Sequence, residues 1–216
     1  MQKPLLIFDL DGTLIETRPD LRIAINLLRQ FYGLPPVSLE TVSSYIGEGV
    51  HKLVARSLHE ISVNLDEAAR IAVYLYRLHI HDESMPYPGV VDGLKKLLRA
   101  GYVLAVISNK PTEPTRALLE HFRMAEFFSS IKGGESDLPL KPDPAVIVST
   151  MKTLRVEPAR TWLVGDSHID LEAARRAGIK SAFVSYGIGT SGPEKPSASF
   201  SSFHALLDFF LNLGVN

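Results

Sequence analysis

Short, almost wholly apolar runs alternate along the chain with longer stretches whose apolar residues recur every three or four positions. Leu5–Phe8, Tyr102–Ile107 and Thr161–Val164 are the most continuous runs, and Ser130–Lys132 and Ser181–Val184 are shorter ones. A strand covered on both faces has no polar side to show, so such runs predict parallel strands inside a sheet. Helical stripes separate them: Val90, Leu94, Leu97 and Leu98; Leu118, Leu119 and Phe122; Ile147, Met151 and Leu154; Leu171, Ala174 and Ala177. Gly101 and Gly178 stand where helices should stop before strands. The alternation predicts an α/β fold built on a doubly wound parallel sheet.

Residues 15–85 break this rhythm, with helical patterns and no convincing strand. Leu21, Ala24, Leu28 and Phe31 share one face, Val50, Leu53, Val54 and Leu58 another, and a third stripe runs from Leu65 to Leu78. Gly33-Leu34-Pro35-Pro36 and the Pro- and Gly-bearing segment 84–89 punctuate the region. The chain therefore reads as an α/β core of residues 1–14 and 86–216 with an all-helical insertion at 15–85. Residues 186–197, rich in Gly, Ser and Pro, read as a loop.

At 216 residues the chain is long enough for one core and such an insertion. Its 23 basic and 24 acidic residues nearly cancel, which argues against nucleic acid or an anionic membrane as the main partner. Any affinity for phosphate must then come from a local site. The absence of cysteine excludes disulfides and thiolate metal sites and fits a reducing compartment. The apolar run before Asp9 is too short for a signal-peptide core, and no stretch approaches the roughly 20 apolar residues that span a bilayer. A cytoplasmic location is the expectation.

Four places carry chemistry. Asp9 and Asp11 end the first apolar run; two apart on a strand, they are expected to project together, where mutual repulsion raises a pKa or demands a cation. Gly12 permits the turn that follows. Ser108 and Asn109 follow Tyr102–Ile107, where a hydroxyl and backbone N–H groups can cradle an anion. Lys141 precedes Pro142-Asp143-Pro144, a stiff approach for an ammonium. Asp166 ends the run Thr161–Val164, and Asp170 lies one helical turn beyond it. Each feature alone has a bland reading as a helix cap, a turn or a solvated charge. Their order, and their place at the carboxyl ends of strands or in a loop that can reach that edge, are what single them out.

In that order, Asp9-Leu10-Asp11-Gly12-Thr13, Ser108-Asn109, Lys141 and Gly165-Asp166-Ser167-His168-Ile169-Asp170 resemble the four motifs of the haloacid-dehalogenase superfamily. The insertion falls where that family carries a helical cap. Within it, Tyr45-Ile46-Gly47-Glu48-Gly49-Val50, Val106–Pro111 and Lys141–Pro144 are similar to phosphoglycolate phosphatases. The resemblance implies a Mg²⁺-dependent phosphatase acting on a small phosphorylated metabolite, with 2-phosphoglycolate as the best match. It implies Asp9 as nucleophile, Asp11 as acid–base residue and Lys141 as the neutralising cation. Asp9, the Asp11 backbone carbonyl and Asp166 would hold Mg²⁺, with Asp170 behind them. Thr13, Ser108, Asn109 and Lys141 would serve the phosphate, and Gly47, Glu48 and Gly49 the substrate. His51, Lys52 or Arg56 would balance a substrate carboxylate. A β-phosphoglucomutase-like transferase, a pyrophosphatase or a nucleotidase shares these motifs. A receiver domain or a silent binding module lacks either the insertion or the need for every motif residue, and Asp11 argues against a dehalogenase. Oligomeric state is not legible.

Overall fold

The structure, a computed structural model, describes residues 3–134 and 138–214; the outermost parts of the expected core, and 135–137 within it, lie outside the described residues. The sheet is built from β1 (Leu5–Phe8), β4 (Val103–Ile107), β5 (Ser130–Lys132), β6 (Thr161–Gly165), β7 (Lys180–Val184) and β8 (Ala198–Phe200). All pairings in it are parallel, in the order β5-β4-β1-β6-β7-β8. Alternate residues of β1 feed two cores: Leu6 and Phe8 on one face, Leu5 and Ile7 on the other. The first face is covered by α5 (Val90–Arg99) and α9 (Phe203–Leu213), the second by α7 (Ala145–Leu154) and α8 (His168–Arg176). Helix α6 (Thr112–His121) completes the α/β part.

Between β1 and α5 the chain forms α1 (Arg18–Phe31), α2 (Leu39–Ser43), α3 (Val50–Ser57) and α4 (Leu65–Leu78). Leu21, Ala24 and Leu28 of α1 are buried as their spacing predicts, whereas Phe31 at the end of the stripe is 67% exposed. The core of this helical layer also holds Arg29, whose guanidinium donates to the carbonyls of Pro35 and Ser57 and pairs with Glu60.

Two departures from the sequence expectation matter. A two-residue antiparallel ladder joins β2 (Ile15–Glu16) to β3 (Met85–Pro86), so the helical stretch leaves and re-enters the core through one narrow stem. Two residues cannot show a strand period, and proline argues against one. Strand β8 was likewise hidden, because three half-exposed residues after a Ser/Pro-rich stretch carry no apolar run. Among the described residues no helix is long and apolar enough to cross a membrane.

Candidate active site

Strand-to-helix turns at the carboxyl edge of the sheet converge on a cavity of about 320 Å³. β1 delivers Asp9 and Asp11, β4 delivers Ser108, Asn109 and Lys110, and β6 with the start of α8 delivers Asp166 and Asp170. Lys141 enters from the loop before α7, and α1, α3, α4 and the loop 46–49 line the opposite wall. Central strands end close together here because β1 lies between β4 and β6.

Asp9 is held by its backbone, whose N–H donates to the Val164 carbonyl at 2.9 Å. Lys141 Nζ lies 2.9 Å from Asp9 Oδ1, a charge contact without hydrogen-bond alignment, so this buried oxygen has no hydrogen-bond partner. Burial pushes the carboxyl up to about 7; Lys141 opposes this, and Asp170, Asp166 and Asp11 add to it. The Lys141 ammonium donates to Asp170 Oδ1 at 2.7 Å and to the Ile107 carbonyl at 2.8 Å. Burial disfavours its charge, but Asp170 and Asp9 outweigh that and hold it above the usual lysine range. Its backbone is clamped by Asn109, which accepts from Lys141 N and donates to Lys141 O, both at 2.9 Å.

Asp166 accepts from Thr13 Oγ1 at 3.1 Å and, on its other oxygen, from the N–H groups of Ile188 and Gly189 at 2.7 and 2.8 Å. Burial, then Asp170, push it up to about 6 against these donors. Gly12, at φ +82°, turns so close that a Cβ there would overlap Asp166 Oδ2. One oxygen each of Asp9, Asp166 and Asp170 lie within 4.8 Å of one another. Asp170 is already matched by the Lys141 ammonium and by the Ser167 hydroxyl at 2.7 Å. Asp166 has only neutral donors, and Asp9 Oδ1 has no hydrogen-bond donor at all. Hard oxygens, unbalanced like charges and a donorless buried oxygen fit a divalent cation such as Mg²⁺.

Other expected residues are placed differently. β1 stops at Phe8, so strand alternation does not govern Asp11. Its carboxyl meets Lys110 Nζ, 3.1 and 3.3 Å from its two oxygens, and accepts from Thr17 Oγ1 at 2.6 Å; it is not part of the acidic cluster. Thr13 is fully buried, and its hydroxyl serves Asp166 rather than the cavity, which corrects the expectation that it touches phosphate. Ser108 and Asn109 do line the cavity, and Asn109 Nδ2 also donates to the Gly47 carbonyl at 2.9 Å. Gly47, Glu48 and Gly49 line it too. Of the three expected cations of the insertion, Arg56 lines it, paired with Glu48 and the Tyr45 carbonyl, whereas His51 is exposed beside Asp66 and Lys52 is exposed. The sequence reading missed Lys110 and the Gly187–Gly189 loop. The two glycines flanking Ile188 were the one signal for the latter.

Residues 6–184 match the profile of the haloacid dehalogenase-like hydrolases. The chain belongs to that family. Relatives include the phosphoglycolate phosphatase of Psychrobacter arcticus, 34% identical over 98% of this chain and 97% of that one. Phosphoglycolate phosphatase 1 of Pseudomonas aeruginosa is 36% identical over 94% and 78%. A crystal structure of a predicted phosphoglycolate phosphatase from Haemophilus somnus superposes with a TM-score of 0.90, at 32% identity over 97% of this chain and 98% of that one. The enzyme is a phosphatase of the haloacid dehalogenase-like family, and its acidic cluster is able to bind a metal.

Proposed function

We propose that the enzyme hydrolyses 2-phosphoglycolate, a small phosphate monoester carrying a carboxylate, through a phosphorylated Asp9. The observation that carries this reading is the Asp9 carboxyl, which lines the cavity beside the Lys141 ammonium and has one oxygen, Oδ1, without an aligned hydrogen-bond donor. A carboxylate that donors do not saturate keeps lone pairs for an electrophile.

In the first step an oxygen of the Asp9 carboxylate forms the bond to phosphorus while the bond to the glycolate oxygen breaks. Asp11 gives that oxygen its proton. In the second step water attacks the phosphorus of the aspartyl-phosphate, Asp11 takes a proton from it, and inorganic phosphate leaves with Asp9 restored. Lys141 neutralises charge shared between Asp9 and the phosphoryl oxygens, with Asp170 fixing its ammonium and Asn109 its backbone. Ser108, which lines the cavity, would offer its hydroxyl to a phosphoryl oxygen. Asp9, the Asp11 carbonyl and Asp166 would hold Mg²⁺, which when bound supplies the positive charge that lets a phosphoryl anion approach a carboxylate.

Residues 15–85 act as a cap over this chemistry. A cavity of about 320 Å³ is at the small end of ligand pockets, which suits a compact metabolite. Gly47, Glu48 and Gly49, which line the cavity, would form its substrate wall, and Arg56, which lines it paired with Glu48, would meet the carboxylate. The names of the relatives at 34% and 36% identity support the substrate. A cytoplasmic setting is part of this proposal.

The test is phosphate release from a set of phosphorylated metabolites, with kcat/KM for each. 2-Phosphoglycolate is expected to lead, EDTA to stop release and Mg²⁺ to restore it. Asp9→Asn should lose at least about 10³-fold in kcat and show no phosphoenzyme on acid quench. A sugar phosphate leading by tenfold would displace the substrate, and an active Asp9→Asn would displace the mechanism.

A further inference from the structure

Two consecutive residues of the loop after β4 reach across the cavity to the helical insertion. Asn109 meets the Gly47 carbonyl, and Lys110 places Nζ 4.1 Å from the centroid of the Tyr76 ring on α4. The same ammonium lies 3.1 Å from Asp11 Oδ1. Lys110 and Tyr76 are only 8% and 5% exposed, so neither contact is a surface accident. The Tyr76 hydroxyl makes no hydrogen bond of good geometry, so the insertion holds Lys110 chiefly through the face of the ring.

We infer that Lys110 is a positioning residue that couples the insertion to catalysis: seated on the Tyr76 ring, its ammonium fixes the Asp11 carboxyl beside the reacting atoms. The inference rests on the acid–base role proposed for Asp11. A lysine side chain has four rotatable bonds and prefers water to a carboxylate at a surface. Enclosed between a ring face and Asp11, it has one arrangement that satisfies it. Withdrawing α4 removes the ring and admits water, which frees the ammonium to leave Asp11. Proton transfer to the leaving oxygen, and later from water, is then available only with α4 in place. Thr17 alone remains on the carboxyl, through one hydroxyl.

The experiment uses the full chain with Mg²⁺ and compares Lys110→Met, Lys110→Arg, Tyr76→Leu and Tyr76→Phe on 2-phosphoglycolate and on p-nitrophenyl phosphate. Lys110→Met and Tyr76→Leu are expected to lower kcat by about tenfold or more with KM within about threefold, while Tyr76→Phe stays near wild type and Lys110→Arg, which keeps the charge but not the shape, falls between Lys110→Met and wild type. In the Asp11→Asn background, Lys110→Met should cost nothing further, because its effect passes through Asp11. Melting curves with and without Mg²⁺ check that each variant is folded; if Lys110→Met is not, Tyr76→Leu against Tyr76→Phe decides. A raised KM with unchanged kcat would overturn the inference, since Lys110 would then bind substrate directly. So would full additivity with Asp11→Asn, or wild-type kcat in Tyr76→Leu. If Asp11→Asn alone keeps wild-type kcat, it is the acid–base reading that fails.

Discussion

Asp9 and Asp11 are two positions apart, yet each has its own ammonium: Lys141 for the first, Lys110 for the second. In the proposed mechanism that separation would let one carboxyl attack while the other moves protons. Asp11→Asn should therefore still take phosphate from acetyl phosphate, whose leaving group needs little protonation, and should then retain it, because water has lost its base. Acid quench and intact mass would show the adduct; wild-type turnover of p-nitrophenyl phosphate without one would remove Asp11 from that role. Arg56 makes a second case. Arg56→Met should raise KM for 2-phosphoglycolate by about tenfold or more and leave kcat for p-nitrophenyl phosphate within about twofold, since only the former carries a carboxylate to be met by a charged hydrogen bond. The acidic residues were legible because two pairs of them follow buried parallel runs, at the sheet edge where ligands bind. Lys110 was not: a lysine in a strand-to-helix loop looks the same in sequence whether solvated or enclosed, and what encloses it, Tyr76, is 34 positions away.

At the level of elements, the site depends on neighbouring strands more than on any one turn. Pairing of β1 with β6 sets Asp9 next to Val164 and Asp166, and pairing with β4 sets it next to the 108–110 loop. The loop after β7 then folds back, and its backbone N–H groups grip Asp166. At Gly187 a Cβ would overlap both Asp166 and the Gly12 carbonyl. Gly187→Ala should lower stability by about 1–3 kcal/mol and raise the Mg²⁺ concentration needed for half-maximal activity. Thermal unfolding and a Mg²⁺ titration would check both, and an unchanged titration would show that the loop does not set the acidic cluster. The long strands and helices were readable from their periods. The β2–β3 stem and β8 were not, because two or three residues have no period and owe their pairing to the chain around them.

Over the whole molecule, folding drives three carboxyls and one ammonium into a nearly dry cluster. Asp9 rises from 3.8 to about 7 and Asp166 from 3.8 to about 6. In the metal-free protein the folded state therefore keeps protons that the unfolded chain has released. Stability falls as pH rises across this window, by up to about 1.4 kcal/mol per unit for each group. Glu16, Glu48 and Glu60 are held below their ordinary value, so their contribution stays full above pH 5 and does not reverse the trend. Melting in EDTA should accordingly occur at lower temperature at pH 8 than at pH 5. Mg²⁺, which needs ionised carboxylates, should raise it more at pH 8. A flat EDTA profile with the same Mg²⁺ effect at both values would mean that these acids are not the metal site. The layered α/β plan, the helices between β1 and α5, the acids at the ends of β1 and β6 and the proline-flanked Lys141 were readable from the chain alone, because period and turn chemistry are local properties. What each group faces came only with packing: Lys110 on Asp11 and Tyr76, Thr13 on Asp166 instead of the cavity, and Arg56 inside while His51 and Lys52 stay outside. Those pairings join residues far apart in the chain, and their energies depend on burial, which exists only once the layers have packed.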